Sequence, residues 1–328
     1  MLHRLTLAAV VALSLSAAVN AQDPVPPAED AARIAAATAA ADAGGTGPMP
    51  AAMLSDPGLP THTVYRPRDM EAAMAHGRLP IVVFGNGGCT NIGNRYRYLL
   101  TEVASHGYLV IATGPVGPSY VEWVVNLTNP DEPDAPPAPP PAQRAPASTA
   151  AQLNDAIDWA IAENARAGSD LQGRLDTNAI AVMGQSCGGL QAIAASADPR
   201  VVTTLVLNSG TLAPGTPPLG GTGDAAKTSL THLHGPVAWI SGDPSDVAHV
   251  NADADFAAIA GVPAMWAWHE GTGHSNHYRM VNGGLFAPVI VDWLDWRLRG
   301  MRAPGGEFSG ADCGLCRAPG WHVATKNF

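Results

Sequence analysis

The sequence predicts an α/β protein built on a mostly parallel central sheet with helices on both faces. Three observations carry that reading. Continuous apolar runs of strand length recur along the chain, as in Leu79 to Phe84 (LPIVVF), Tyr108 to Thr113 and Ala179 to Met183. Such runs suit strands covered on both faces rather than one. Helix-length stretches alternate with them, and strand, helix, strand at this spacing is a βαβ unit. Glycine-rich or polar loops follow several of the strands, as they do at the carboxyl edge of a parallel sheet.

In chain order, residues 1–21 (MLHRLTLAAVVALSLSAAVNA) hold a short basic start at His3 and Arg4, an apolar stretch and a small-residue cleavage signature. They read as a signal peptide, which places the mature protein in the secreted or periplasmic compartment. The apolar stretch is too short for a stable membrane span. Residues 22–60 are rich in Ala, Pro, Asp and Gly and read as a leader with one docked helix near Glu29 to Ala41. Thr61 to Tyr65 suits an edge strand, LPIVVF a buried one, Arg95 to Ser105 a helix, and Tyr108 to Thr113 a second buried strand. Prolines crowd residues 126–147 (DEPDAPPAPPPAQ within it), which forbids helix and central strand and marks an insertion. Helix resumes from Thr149 to Ala167, with Leu153, Ile157, Trp159 and Ile161 on its inner face. Strands are expected at Val201 to Leu207, Pro236 to Ser241 and, last, Val262 to Trp268, and a helix at Leu285 to Leu298. The sheet domain is thus expected to span 61–301, and residues 302–328 to form a tail with a CxxC pair.

The strand Ala179 to Met183 runs into Gly184-Gln185-Ser186-Cys187-Gly188-Gly189, a GxSxG pentapeptide that opens a helix. Strand before and helix after make it a nucleophile elbow, in which the central serine takes strained backbone angles and flanking glycines avoid collision with the neighbouring strand and helix. Ser186 is the expected nucleophile. The N–H of Cys187 opens a helix and can donate to an oxyanion formed at that serine.

A serine hydroxyl needs a base, and the base an acid to orient it. After PVAWIS comes Gly242-Asp243-Pro244-Ser245-Asp246, with two carboxylates. Asp246 is favoured because it lies far enough past the strand to swing back, whereas Asp243 suits a turn. Asp253 and Asp255 are assigned to the start of the next helix. After VPAMWAW comes His269-Glu270-Gly271-Thr272-Gly273-His274. His274 is favoured because Gly273 leaves the backbone free to place the ring, while His269 continues the strand and His277 begins a helix. His232, His234, His249 and His322 read as structural. Gly85-Asn86-Gly87-Gly88-Cys89 follows the first buried strand, and Gly88 is the favoured second oxyanion donor, with Cys89 the alternative. No lysine follows the loop, which argues against nucleotide binding.

The order of strand, GNGG loop, GQSCGG elbow, SGDPSD loop and GTGHS loop resembles the α/β-hydrolase superfamily over 61–301, and within it the secreted dienelactone-hydrolase, polyester-hydrolase and lipase-like branches. The resemblance implies a serine hydrolase cleaving a carboxylic ester through Ser186, His274 and Asp246, with Gly88 and Cys187 at the oxyanion. Asn86 stands where many members carry histidine. Two other readings remain open: a peptidase of prolyl-oligopeptidase type, and a catalytically silent scaffold serving as a binding module.

Four cysteines in an exported chain suggest disulfides, of three possible connectivities. Cys89 with Cys187 and Cys313 with Cys316 is the favoured pairing, since the first two lie on loops that would flank one oxyanion hole. No metal and no cofactor is expected. With 18 basic and 28 acidic residues and a net charge of −10, the chain is not expected to bind nucleic acid. The expected partner is a small-molecule or polymeric ester, with no obligate protein partner. Tyr120, Trp123, Trp266 and Trp268 are candidates either for an acyl pocket or for core.

Overall fold

The computed structural model describes residues 27–117, 147–213, 227–301, 306–310 and 312–328. The segment 1–21 read as a signal peptide, all but the last residue of the proline-rich stretch 126–147, Tyr120 and Trp123 therefore lie outside the described residues.

Nine strands form one sheet in the order β1-β2-β4-β3-β5-β6-β7-β8-β9. They are β1 (Ala51–Leu54), β2 (His62–Pro67), β3 (Leu79–Gly85), β4 (Leu109–Thr113), β5 (Leu175–Gln185), β6 (Val201–Leu207), β7 (Val237–Gly242), β8 (Ala264–His269) and β9 (Trp321–Lys326). The run from β4 through β3, β5, β6 and β7 to β8 is parallel, whereas β1, β2 and β9 pair antiparallel at the two sides. Every residue of β3 and β4 is buried, as continuous apolar strands covered on both faces must be.

Successive side chains of β3 serve opposite cores. Val82 and Phe84 pack with Leu99 and Val103 of α3 (Arg97–Ser105) and with Ile290 and Trp293 of α7 (Phe286–Arg299). Ile81 and Val83 pack with Met70 and Ala73 of α2 (Met70–Ala73) and with Leu153 and Ile157 of α4 (Ala150–Ala165). Trp159 and Ile161 of α4 are only partly buried, and Ala156 and Ala160 complete its inner face instead. A third cluster joins Leu190 and Ile193 of α5 (Cys187–Ala195) to Val206, Trp239 and, from α6 (His249–Ala258), Ala252.

The sheet extends beyond 61–301 on both sides. The stretch assigned to a leader supplies α1 (Pro27–Ala43), whose Ile34, Ala37 and Ala41 pack on Tyr98, and the edge strand β1. Consequently β2 is not the edge strand the sequence suggested; it lies between β1 and β4. The tail supplies β9, which covers the outer side of β8, so β8 is not the last strand. Asp255 also differs from expectation: it is fully buried within α6 and not at its start, and it accepts from Thr211 N at 2.6 Å, the Thr211 hydroxyl and Lys227 Nζ at 2.5 Å.

Among the described residues no helix is long and apolar enough to cross a membrane. The two disulfides, Cys89–Cys187 and Cys313–Cys316, have Cα separations of 5.3 and 5.1 Å, and among the described residues no cysteine is free. Disulfides fit an extracellular setting.

Candidate active site

Because β3, β5, β6, β7 and β8 are parallel, the loops that leave them emerge along one edge of the sheet. Ser186 sits between β5 and α5 with φ 52° and ψ −119°, a conformation rare for a non-glycine residue and the strained one an elbow requires. The strain is held in place from several sides. Ser186 N donates to Leu207 O at 2.9 Å, and Ser209 Oγ donates to Ser186 O at 2.6 Å. A Cβ on Gly184 would lie 2.1 Å from Gly188 O, and one on Gly188 would lie 1.9 Å from Gly85 O. Glycine is thus required at both flanks because backbone approaches backbone there.

His274 and Asp246 meet the serine. His274 Nε2 lies 2.9 Å from Ser186 Oγ, and His274 Nδ1 lies 2.7 Å from Asp246 Oδ1. An ionised carboxylate only accepts, so Nδ1 carries the proton and Nε2 is left to accept from the serine hydroxyl. Asp246 is 2% exposed. Burial alone would push its carboxyl up. The hydrogen bonds and charge of His274, then Ala248 N and Asn208, outweigh burial and hold it below the usual carboxylate range.

The neighbouring candidates do other work. Asp243 accepts from Ser245 N and Oγ at 2.8 and 2.6 Å and from Gly271 N at 2.8 Å, forming a turn and bracing the histidine loop. Its carboxyl is lowered, chiefly by the Ser245 hydroxyl. His269 is directed to Glu270 O and to Trp321. His249 contacts Gly242 O at 2.9 Å and lies edge-on to Trp266 and Trp268, while His322 stacks on Trp268 with centroids 3.8 Å apart. Trp266 packs against Phe256 of α6. Both tryptophans therefore serve packing between β8, α6 and β9.

Gly88 lies in the short turn Gly87–Cys89 after β3 with φ 64°, followed by Cys89 at φ 49°. Arg95 Nη1 donates to Gly87 O at 2.8 Å and to Thr90 Oγ1 at 3.0 Å, and Ser148 N donates to Cys89 O at 2.8 Å. The Cys89–Cys187 disulfide then joins this turn to the first residue of α5. Cys187 N, opening a helix, has no intrahelical acceptor and is placed beside the serine by sequence. Asn86 is fully buried and its Nδ2 donates to Thr113 O at 2.6 Å, pinning the loop to the end of β4.

Four residues that the sequence reading passed over complete the surroundings. Gln185 Nε2 donates to His274 O at 2.9 Å, and Tyr96 OH donates to Gln185 Oε1 at 2.6 Å. Asn208 Nδ2 donates to Asp246 Oδ2 at 2.7 Å, and Tyr278 OH donates to Asn208 Oδ1 at 2.6 Å. The position of Asn208 just past a strand at the sheet's carboxyl edge was a usable signal, because asparagine tolerates left-handed backbone angles. His277 lies beside this network, 3.8 Å from Phe286 between ring centroids, and among the described residues its two ring nitrogens have no hydrogen-bond partner. Burial pushes its imidazole down to about 3, so it stays neutral.

Among the described residues no group of three or more His, Cys, Asp or Glu side chains is arranged to hold a metal. The arrangement can remove a proton from a serine hydroxyl through an imidazole whose far side faces a buried carboxylate. No protein-family profile matches the chain, and no curated protein matches it either.

Proposed function

We propose that the protein is a secreted serine hydrolase of the α/β-hydrolase superfamily that cleaves a carboxylic ester. The observation that carries the reading is the contact series from Ser186 Oγ to His274 at 2.9 Å and from His274 to Asp246 at 2.7 Å, with the serine in a strained turn. Ser186 attacks the carbonyl carbon as its proton passes to His274 Nε2. Asp246 holds the ring in the required tautomer and stabilises the imidazolium. Backbone N–H groups of Cys187 and Gly88 take the negative charge that develops on the carbonyl oxygen. Collapse expels the alcohol, which receives the proton from His274, and leaves an acyl-serine. Water, deprotonated by His274, then releases the acid.

The parallel sheet with an antiparallel N-terminal pair and all three residues on loops at its carboxyl edge supports placement in this superfamily. The complete Ser-His-Asp contact series favours an enzyme over a silent binding module. Export is supported by the two disulfides.

The test is hydrolysis of a p-nitrophenyl ester series, from acetate to long acyl chains, by the mature protein and by Ser186→Ala. Activity that vanishes in the variant supports the reading, and its chain-length profile sizes the acyl site. Equal rates in the two proteins, or no turnover of any ester, overturn it.

A further inference from the structure

We infer that Asn208 is a positioning residue of this site: its carboxamide fixes the Asp246 carboxylate toward His274 and ties the acid loop, the histidine loop and Tyr278 into one unit. The catalytic consequence rests on the ester-hydrolase reading above.

Asn208 directly follows β6, is fully buried, and takes φ 42°, in the left-handed region. Its backbone N–H donates to Ile240 O of β7 at 2.8 Å. Its side chain is used on both ends. Nδ2 donates to Asp246 Oδ2 at 2.7 Å and to Gly273 O, the residue before His274, at 3.2 Å. Oδ1 accepts from Tyr278 OH at 2.6 Å. The carboxylate settles which way the amide points, because an acceptor-only group must face the NH2 end.

Each oxygen of Asp246 has two donors. Oδ1 accepts from His274 Nδ1 at 2.7 Å and Ala248 N at 2.9 Å, and Oδ2 from Asn208 Nδ2 at 2.7 Å and Gly242 N at 3.1 Å. With Oδ2 held on two sides, the carboxylate cannot turn away from the imidazole. The titratable groups that sense Asp246 are His274, His277 and Tyr278. His277 is kept neutral and Tyr278 protonated by burial, so the Asp246–His274 couple is what responds to a change at Asn208. Nδ2 draws charge from Asp246. Losing it raises the affinity of the couple for a proton.

Two variants test this. Asn208→Gly removes the carboxamide and suits the left-handed backbone, and Asn208→Ala removes it while keeping a Cβ. The His274 imidazole is titrated by nitrogen-15 NMR, assigned with His274→Ala, alongside the pH profile of kcat/KM on a p-nitrophenyl ester. The expected result for Asn208→Gly is a His274 titration raised by about half a unit to one unit. The acid limb of kcat/KM should move with it, and kcat should fall about tenfold or more with KM changed less than about threefold. Asn208→Ala moves the titration in the same direction. A His274 titration in Asn208→Gly that superimposes on the wild type overturns the inference; if that variant does not fold, an unmoved titration in Asn208→Ala does so. Should Ser186→Ala retain the wild-type ester rate, the ester reading falls while the NMR titration still decides the role of Asn208.

Discussion

Gln185 donates from Nε2 to the backbone carbonyl of His274 across 2.9 Å, so the residue before Ser186 holds the loop that carries His274. Tyr96 in turn fixes Gln185 through a 2.6 Å hydrogen bond. Gln185→Leu is expected to lower kcat by about one to two orders of magnitude, because a slight misplacement of a base is that costly. Steady-state kinetics on a p-nitrophenyl ester checks it. An unchanged kcat would show that the histidine loop needs no such tether.

Asp246→Asn should leave the fold intact and reduce kcat by about four orders of magnitude, since an amide facing Nδ1 favours the wrong tautomer. Ser186→Ala should reduce it by at least as much. A fluorophosphonate probe should label the wild type and fail on Ser186→Ala. Labelling of the alanine variant would point to a different nucleophile.

Acid should destabilise the protein through His277. Its folded-state value lies near 3 because burial opposes the charge, whereas in the unfolded chain it is ordinary, near 6.5. Below pH 6.5 the unfolded state binds a proton that the folded state refuses. The stabilisation present above that pH is therefore lost as pH falls toward 3, by about 1.4 kcal/mol per unit from this group alone. Replacing His277 by Phe should flatten that slope. It should also raise stability by about 1–3 kcal/mol, since the partnerless ring nitrogens are gone. Urea unfolding at pH 7 and pH 5 measures both effects.

Removing the Cys89–Cys187 bridge with a double alanine variant should lower kcat about tenfold or more while KM moves little, because the Gly87–Cys89 turn and the start of α5, the proposed oxyanion donors, lose their covalent link. The bridge closes a separation of 98 residues and Cys313–Cys316 one of 3, so the first loss should also lower Tm far more than the second. Kinetics well below both Tm values separates the catalytic effect from the thermal one. Equal kcat in both double variants would speak against the proposed oxyanion role of these segments.

Glycines around the site should differ sharply in tolerance. Gly188→Ala forces a Cβ to 1.9 Å from Gly85 O and should destabilise by about 3 kcal/mol or more. Gly273→Ala meets nothing within 4 Å and should fold normally with activity within about threefold of wild type. Thermal melts and ester turnover of the two variants give the comparison.

The elbow was legible because its chemistry imposes a local pattern: apolar strand, strained serine, glycines where backbones touch. The meeting of Asp246 and His274 with Ser186, and the cysteine pairing, followed from the order of strands and loops. Gln185, Tyr96 and Tyr278 were not legible, since their hydrogen bonds join residues 70 to 89 positions apart and leave no periodic trace. Asn208 carried a signal in its place after a strand, but nothing local tied it to Asp246, 38 positions on. Strand β1 is a four-residue Ala-Ala-Met-Leu segment without alternation, and only pairing with β2 defines it. Strand β9 does alternate, with Trp321, Val323 and Thr325 on one side and His322 and Ala324 on the other. Its position after the CxxC turn concealed it. The reading of Gly273 as the residue that frees the His274 ring is a smaller matter: it is hydrogen bonding from Asn208 to Gly273 O that fixes the backbone there.

Strand β9 pairs along the whole of β8, from Ala264 with Lys326 to His269 with Trp321. During synthesis the outer backbone groups of β8 therefore stay open until Trp321–Lys326 has been made. An uncovered strand of this composition, Ala-Met-Trp-Ala-Trp-His, is a template for another chain. A protein cut short after α7 would carry that sticky margin permanently, and its loss of solubility would precede any defect in chemistry.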